Sequence, residues 1–208
     1  MASWDHTVLQ KARNAKVLLL GGSAGSFKLI FGLIERLPRD FSMPVIVVIH
    51  RSRKFRSEVE ALLNRKSQVS VCLASDKLKI EKGHVYFAPP DYHLLLEPDG
   101  TLTLDYSEPV YHSRPSIDTT FLSVADVYQD EVIAVLLSGA NADGAEGLCY
   151  IHTKNGVAVV QDPAGAEVKT MPESAIARCK DALILSDESI FAFIKSITQD
   201  SKTENGSS

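Results

Sequence analysis

A glycine-rich loop near the start of the chain carries a serine that could act as a nucleophile. Residues 21–26 read GGSAGS and match G-x-S-x-G with Ser23 at the centre, between an apolar run and a helical pattern. That context is typical of a nucleophile elbow, in which a sharp turn leaves the hydroxyl exposed beside helix N-terminal amides. The loop alone is also compatible with a phosphate-binding turn or a plain tight turn, although it lacks both G-x-G-x-x-G and the Gly-Lys-Ser/Thr of a P-loop.

A histidine and an aspartate follow two other apolar runs, where they could assist such a serine. His50 comes directly after Pro44–Ile49, and Asp143 lies in the loop 138–144 that follows Val132–Leu137. A histidine at the end of a strand is well placed as a general base, although lone histidines are more often structural. An aspartate could fix the useful tautomer of that histidine and balance the imidazolium charge, although Asp-Gly is also a common turn pair.

We expect these three side chains to meet, because each follows the end of a different predicted strand. The carboxyl ends of parallel strands lie at one edge of a sheet, which is where α/β proteins bind ligands. The set Ser23, His50 and Asp143 would suit a serine hydrolase, but its chain order differs from the Ser…Asp…His order of α/β-hydrolases. Ser116 and Ser138 are alternative nucleophiles that lack the elbow context.

The elements that would position these residues alternate between apolar runs and helical patterns. This alternation predicts a doubly wound, mostly parallel α/β sheet with helices on both faces. The predicted buried strands are Ala15–Leu20, Pro44–Ile49, Val69–Leu73, Val132–Leu137, Val157–Gln161 and Ala182–Leu185. The predicted helices are Phe27–Leu37, Arg56–Asn64, Ser116–Tyr128, Ala145–Lys154, Ser174–Arg178 and Asp187–Thr198. Short segments separated by Pro-Asp turns predict a small antiparallel hairpin insertion at Gly83–Ala88, His93–Glu97 and Thr101–Tyr106.

Composition excludes several classes of protein. The chain has 208 residues, of which 45% are hydrophobic and 23% charged, so it is neither a disordered chain nor a membrane bundle. Its net charge of −4 argues against binding to nucleic acid or to anionic membranes. The three cysteines have no C-x-x-C spacing, and the N-terminus has no secretory pattern. We therefore expect a cytoplasmic protein without disulfides, a metal site or a cofactor.

Several motifs, taken in order, resemble the catalytic domain of the CheB-type protein-glutamate methylesterases of chemotaxis. The Ser-centred glycine turn and the strand-ending His50 are similar to those of that family, and further similarity extends from about Lys16 to about Ser196. The further motifs are the YFAP of 86–89 with Asp91 and His93, the RPSID of 114–118, the LSG…DGA of 137–145, and Gln161 with the MPESA of 171–175.

The resemblance implies a serine hydrolase that removes methyl esters from glutamate side chains of chemoreceptors and can also deamidate glutamine. The implied triad is Ser23, His50 and Asp143, with backbone amides near Ala24 and the Gly139–Ala140 turn as oxyanion donors. The expected partners are cytoplasmic helices of methyl-accepting chemoreceptors, with a separate response regulator or receptor-associated protein as a further candidate. The side chains expected to contact such an acidic helix are Arg53, Lys54, Phe55 and Arg114.

The sequence departs from the family pattern in loops around the implied triad. Ala24 stands where the family has Thr, residues 140–142 read ANA where it has Met-Gly-Asn, and residues 51–54 read RSRK where it has Met-Pro-Pro-Gly. The alternative is therefore a catalytically weak or phosphate-binding docking module on the same fold. The basic segment 51–56 could equally be a solvated face. We expect an N-terminal lead-in at 1–15, a catalytic domain at 16–198 without a receiver domain, and a flexible tail at 199–208.

Overall fold

The computed structural model describes residues 5–50 and 59–198 of the chain. Within those ranges the strands are β1 (Val17–Gly22), β2 (Val45–Ile49), β3 (Ser70–Leu73), β4 (His84–Phe87), β5 (His93–Leu96), β6 (Leu102–Asp105), β7 (Val132–Leu136), β8 (Val157–Gln161) and β9 (Leu183–Leu185). The helices are α1 (His6–Asn14), α2 (Phe27–Arg36), α3 (Val59–Lys66), α4 (Ile117–Tyr128), α5 (Ala145–Thr153), α6 (Thr170–Arg178) and α7 (Asp187–Thr198).

A seven-stranded parallel sheet forms the centre of the protein, in the order β3-β4-β2-β1-β7-β8-β9. The strands β1, β2, β7 and β8 are buried along their whole length, which explains their continuous apolar sequences. β1 lies between β2 and β7, so the chain order reverses beside it. A doubly wound sheet binds ligands at such a reversal, at the carboxyl ends of the strands.

Two apolar clusters cover the two faces of the sheet. One contains inward side chains of α1, α2, α3 and α7, and the other contains those of α4, α5, α6 and the antiparallel pair β5–β6. Successive strand residues point to opposite faces, so Leu18 and Leu20 join the first cluster while Val17 and Leu19 join the second. The predicted doubly wound α/β fold with a small hairpin is confirmed.

The prediction for the segment Gly83–Ala88 was wrong. Its strand, β4, is not part of the antiparallel insertion but lies in the main sheet, parallel to both β2 and β3. Val85 pairs with Val45 on one side and with Val71 on the other, and Tyr86 and Phe87 are buried. A strand of only four residues carries no periodicity that distinguishes the two settings, so its place depends on its tertiary partners.

Two helix boundaries also differ from the prediction. The expected lead-in contains the helix α1, which is capped by the Asp5 side chain accepting from the Thr7 amide, and its Ala12 is fully buried. Helix α6 begins at Thr170 rather than at Ser174. Pro172 lies within its first turn, where an amide would have no helical acceptor, so the proline is tolerated there. In the described part of the chain no helix is long and apolar enough to span a bilayer.

Candidate active site

The strand register brings Ser23 next to His50. Gly22 of β1 pairs with Ile49 of β2, and these are the residues immediately before the serine and the histidine. The His50 amide donates to the Gly22 carbonyl at 3.3 Å, and the Ser23 amide donates to the Ser138 carbonyl at 2.8 Å. The loops after β1, β2 and β7 therefore meet at one point on the carboxyl edge of the sheet.

The turn that carries Ser23 is closed by its own side chains. Ser26 is fully buried, and its hydroxyl donates to the Ser23 carbonyl at 2.7 Å. Gly25 has φ of +81°, and a Cβ there would lie 2.6 Å from the Ser138 hydroxyl oxygen. Only glycine combines that left-handed conformation with so close an approach. The turn is thus held rigidly against the loop that follows β7, while Ser23 itself stays partly exposed.

Asp143 is fully buried at the N-terminus of α4, where its carboxylate accepts four hydrogen bonds. Oδ2 accepts from His50 Nε2 and from the Ile117 amide, both at 2.8 Å. Oδ1 accepts from the Ser116 hydroxyl and the Asp118 amide, both at 2.9 Å. Burial alone would raise the pKa of this carboxyl, but the bonds from His50 and the helix amides outweigh it and lower the pKa. Asp143 is therefore ionised at neutral pH.

An ionised Asp143 fixes the proton of the neutral His50 ring. A carboxylate can only accept, so Nε2 carries the hydrogen and Nδ1 keeps a free lone pair. Nδ1 lies 3.4 Å from the hydroxyl oxygen of Ser113. The side chain of His50 is 12% exposed, so the ring can be reached from solvent. Nδ1 is consequently the nitrogen of this ring that can take up a proton.

Among the described residues, the hydroxyl of Ser23 makes no hydrogen bond to His50 in this conformation. Ser23 lies two residues after Gly21, so the two residues share one face of the strand. A Cβ at Gly21 would meet Ile117 and Phe121, which shows that α4 covers that face. Asp143 is held on that same side by the first turn of α4. A serine hydroxyl changes direction by rotation about one side-chain bond between staggered positions. The backbone therefore places Ser23 beside His50 while leaving its hydroxyl free to turn.

The two alternative serines are occupied by structural bonds. Ser116 is buried and donates to Asp143, as described above, and it also caps α4 by accepting from the Thr119 amide. Ser138 is buried, and its hydroxyl donates to the Ala24 carbonyl at 2.7 Å and accepts from the Val168 amide at 2.9 Å. Its amide donates to Gln161 Oε1 at 2.7 Å. Both residues hold loops of the site together and neither presents a free hydroxyl.

The backbone of Gly139 is engaged within the fold. Its amide donates to the Val168 carbonyl at 3.1 Å, and its carbonyl accepts from the Met171 amide at 2.9 Å. The expectation that Gly139 supplies an oxyanion donor is therefore not supported, because its hydrogen points to another acceptor. Ala24 and Ala140 are exposed, and their amides donate no hydrogen bond within the described part of the chain. The Ala24 amide lies in the Ser23 turn, and the Ala140 amide lies in the loop after β7.

Of the four expected substrate-binding residues, only Arg114 lies among the described residues. Arg53, Lys54 and Phe55 lie outside the described residues. Arg114 places its guanidinium over the Tyr106 ring at 3.8 Å and donates from Nη1 to the carbonyls of Tyr106 and Ser107 at 3.1 and 2.6 Å. These contacts brace the chain that leaves β6.

Two buried titratable residues, His93 and Asp118, lie close to Asp143 and hold the segments around it. His93 is fully buried, accepts from the Ser116 amide through Nδ1 at 3.1 Å, and contacts the Glu108 carbonyl through Nε2 at 3.0 Å. Asp118 is 6% exposed and accepts from the Gly147 amide at 2.7 Å, which joins α4 to α5. Burial, with a further contribution from the nearby Asp143 charge, raises the pKa of Asp118 to about 6. Both residues lie in motifs noted in the sequence, but their roles depend on tertiary contacts.

Comparison with known proteins identifies the family. The family model described as CheB methylesterase matches residues 18–194. A Leptospira interrogans protein is 40% identical over 177 residues, which cover 85% of this chain and 92% of the relative. A Thermotoga maritima protein-glutamate methylesterase/protein-glutamine glutaminase is 31% identical over 173 residues, which cover 82% of this chain and 50% of that protein. The crystal structure of the Thermotoga maritima CheB methylesterase catalytic domain matches with a TM-score of 0.81 at 30% identity, covering 88% of this chain and 98% of that one. The resemblance read from the motifs is confirmed, and the chain belongs to the CheB methylesterase family.

Proposed function

We propose that this protein hydrolyses the methyl esters of glutamate side chains on chemoreceptor helices, with Ser23 as nucleophile, His50 as general base and Asp143 as the carboxylate that orients it. The observation that carries the proposal is the 2.8 Å bond between His50 and Asp143, made directly beside the residue that follows β1. A base with a fixed tautomer next to an exposed serine turn is the arrangement that activates a hydroxyl.

The first half of the reaction would form a covalent intermediate. The Ser23 hydroxyl oxygen attacks the ester carbonyl while its proton moves to Nδ1 of His50. The tetrahedral intermediate then collapses, the bond from carbon to the methoxy oxygen breaks, and His50 returns the proton to give methanol. The glutamyl group remains esterified to Ser23. A glutamine side chain would react in the same way and release ammonia.

The second half would restore the enzyme. Water attacks the glutamyl-serine ester and passes a proton to Nδ1, and collapse returns that proton to Ser23 as the free glutamate leaves. Each half places a positive charge on His50, and the buried Asp143 carboxylate stabilises that charge through Nε2. The four bonds to Asp143 keep it from reorienting while the charge forms and disappears.

The amides of Ala24 and Ala140 are the proposed oxyanion donors. Ala24 is exposed in the Ser23 turn, and Ala140 is exposed in the loop after β7. Neither amide donates a hydrogen bond within the described residues. Backbone donors aimed at the developing oxyanion contribute several kcal/mol in related chemistry, about 3 for a single donor. Alanine in place of the larger family residues changes the rim of this site but not the donors themselves.

The proposed partner is an acidic, glutamate-rich receptor helix that meets the basic segment 51–56. Arg53 and Lys54 would attract it, and Phe55 would supply apolar contact. A separate response regulator or receptor-associated protein remains the proposed regulatory partner. Arg114 would act indirectly, by holding the chain before α4.

Methanol release from a methylated receptor fragment tests the function. We expect release by the wild-type protein and its loss in Ser23→Ala, with normal folding. Ser196→Ala is the matched control, because it removes a serine hydroxyl bonded to the Phe193 carbonyl in α7, away from the site. A wild-type protein that releases no methanol under any condition would favour the docking module instead.

A further inference from the structure

The residues just before α4 form an unusual two-residue turn. The Val110 amide donates to the Ser113 carbonyl at 3.1 Å, and the Ser113 amide donates to the Val110 carbonyl at 2.8 Å. The residues between them, Tyr111 and His112, both adopt left-handed conformations with φ of 48° and 61°, and both are exposed. Such turns favour Asn and Gly, so Tyr and His hold a sparsely populated backbone there. Backbone outliers of this kind concentrate at functional sites.

The turn places the Ser113 side chain next to His50. Both backbone groups of Ser113 are used in closing the turn, and its hydroxyl oxygen lies 3.4 Å from His50 Nδ1. Nδ1 has no hydrogen in the neutral ring, so the Ser113 hydroxyl is the donor of this contact. Once Nδ1 has taken a proton, the same hydroxyl can accept from it, because a serine oxygen both donates and accepts.

His50 is therefore held at both ends of its ring. Asp143 bonds Nε2 at 2.8 Å, and Ser113 contacts Nδ1 from the opposite side. Two partners restrict rotation of the ring in a way that one cannot. The contact at Nδ1 is long and therefore weak, so the Ser23 hydroxyl can displace it and donate a shorter bond to the same lone pair during the reaction.

We propose that Ser113 is a positioning residue that acts through His50, keeping Nδ1 aimed at the place where the Ser23 hydroxyl must donate. This inference rests on the proposed esterase function and adds a residue to its machinery. Ser113 is not the nucleophile in this account, because it precedes Arg114-Pro115 rather than following a strand into a helix.

Paired variants separate the hydroxyl from the packing of this side chain. Ser113→Ala removes the hydroxyl, and Ser113→Thr restores it on the same backbone. Loss of one such hydrogen bond is expected to lower kcat for methyl-ester hydrolysis about tenfold with an unchanged KM, and Thr should recover most of that loss. Ser196→Ala, which removes a hydroxyl in α7, should leave both constants unchanged.

The imidazole nitrogens provide a second readout that does not require turnover. Nitrogen-15 spectra of the wild-type protein should show His50 with its hydrogen on Nε2, and Nδ1 should shift in Ser113→Ala and recover in Ser113→Thr. Failure of the proposed function appears separately, as absence of methanol release by the wild-type protein.

Several results would overturn the inference. They are a Ser113→Ala protein with wild-type kcat and an unmoved Nδ1 resonance, a rise in kcat, and a His50 ring with its hydrogen on Nδ1. A fluorophosphonate probe labels activated serines covalently. If it still labels Ser23→Ala but no longer labels Ser113→Ala, Ser113 is the nucleophile and the positioning role is overturned. If Ser113→Ala does not fold, Ser113→Cys replaces it, because a thiol of similar size is a weak donor, and a wild-type kcat with an unmoved Nδ1 resonance would overturn the inference.

Discussion

The pair of His50 and Asp143 combines a fixed charge with a movable proton. The carboxylate is fully buried and ionised because the N-terminus of α4 surrounds it with amides and one hydroxyl. In the proposed mechanism the histidine bonded to it presents Nδ1, not Nε2, toward the reacting groups. The common serine-protease arrangement uses the two nitrogens in the opposite order. The chemistry survives this exchange because either nitrogen can act as the base.

Replacing the carboxylate by an amide tests this geometry at one atom. In Asp143→Asn the side chain can donate to Nε2 or lose its bonds to the Ile117 and Asp118 amides, and either outcome misorients His50. We expect kcat for ester hydrolysis to fall about a thousandfold while the fold is kept. Asp126→Asn, on the exposed side of α4 where it accepts from the Tyr150 hydroxyl, is the control. Near-normal turnover by the Asp143 variant would show that the carboxylate does not orient the base.

Asp118 makes a pH-dependent contribution to the folding stability of the protein. Its pKa is raised from 3.8 to about 6 by burial and by the Asp143 charge, so the folded protein holds this proton more tightly than the unfolded chain. The associated stability is full below pH 4 and is lost as pH rises through about 6, a change of about 3 kcal/mol. Asp118→Asn keeps an acceptor for Gly147 and does not titrate.

Urea unfolding at pH 4 and pH 7.5 measures this effect. Relative to wild type, Asp118→Asn should be more stable at pH 7.5 than at pH 4, so its free energy of unfolding should rise against that of wild type. Asp126→Asn provides the exposed comparison and should show little change. If the variant and wild type differed in free energy of unfolding by the same amount at both pH values, ionisation of Asp118 would not destabilise the folded protein.

At the scale of elements, the site depends on turns whose conformations few residues can adopt. The loop after β1 needs Gly25 because of its left-handed backbone and its contact with Ser138. The N-terminus of α4 reaches Asp143 because the chain from β6 is braced by Arg114 and closed by the turn at 110–113. Gly25 and the turn at 110–113 contain no proposed reacting atom, but both help to determine where Ser23, His50 and Asp143 lie.

Two glycines with the same backbone conformation separate strain from crowding. Gly25 and Gly100 have φ of +81° and +80°, but a Cβ at Gly100 would meet nothing within 4 Å, whereas at Gly25 it would meet Ser138 and Glu167 at 2.6 Å. Gly100→Ala should cost about 1 kcal/mol of unfolding free energy and keep full activity. Gly25→Ala should cost clearly more and reduce ester hydrolysis strongly. Equal losses in stability and activity for the two variants would contradict this reading of the Ser23 turn.

The elements of the fold and the positions of the proposed triad could be predicted from sequence to different extents. Apolar runs ending at Ser23 and His50 located the edge of the sheet, because the carboxyl ends of parallel strands share one edge. The runs did not reveal that β4 is parallel, since a strand of four residues fits both kinds of sheet. The bonds from Ile117 and Asp118 to Asp143, the occupied Gly139 amide and the contact of Ser113 with His50 all depend on distant segments, so no local pattern announces them.

At the scale of the whole molecule, the site lies where the strand order reverses around β1 and where the segment 51–58 begins. The chain carries a net charge of −4, so the four cations within residues 51–56 stand out against an acidic background. Local positive charge of this kind accelerates encounter with an acidic partner and is screened by salt. Recognition of the receptor would therefore respond to charge and ionic strength, whereas the chemical step would not.

Reversing two of these charges tests recognition apart from chemistry. Arg53→Glu with Lys54→Glu should lower kcat/KM on a methylated receptor fragment about tenfold at low salt, with little effect on a small neutral ester. Lys180→Glu with Lys195→Glu changes the net charge equally on exposed residues away from the site and is the control. Unchanged receptor hydrolysis at low salt by the first variant would remove segment 51–56 from substrate recognition.

Covalent labelling by a fluorophosphonate, followed by peptide mass spectrometry, tests the central claim most directly. The probe reacts only with a serine whose proton can be withdrawn, so it reports the nucleophile and its base together. The account predicts a single modified peptide containing Ser23, and loss of that modification in Ser23→Ala and in His50→Ala. Modification of another serine, or labelling that persists without His50, would contradict it.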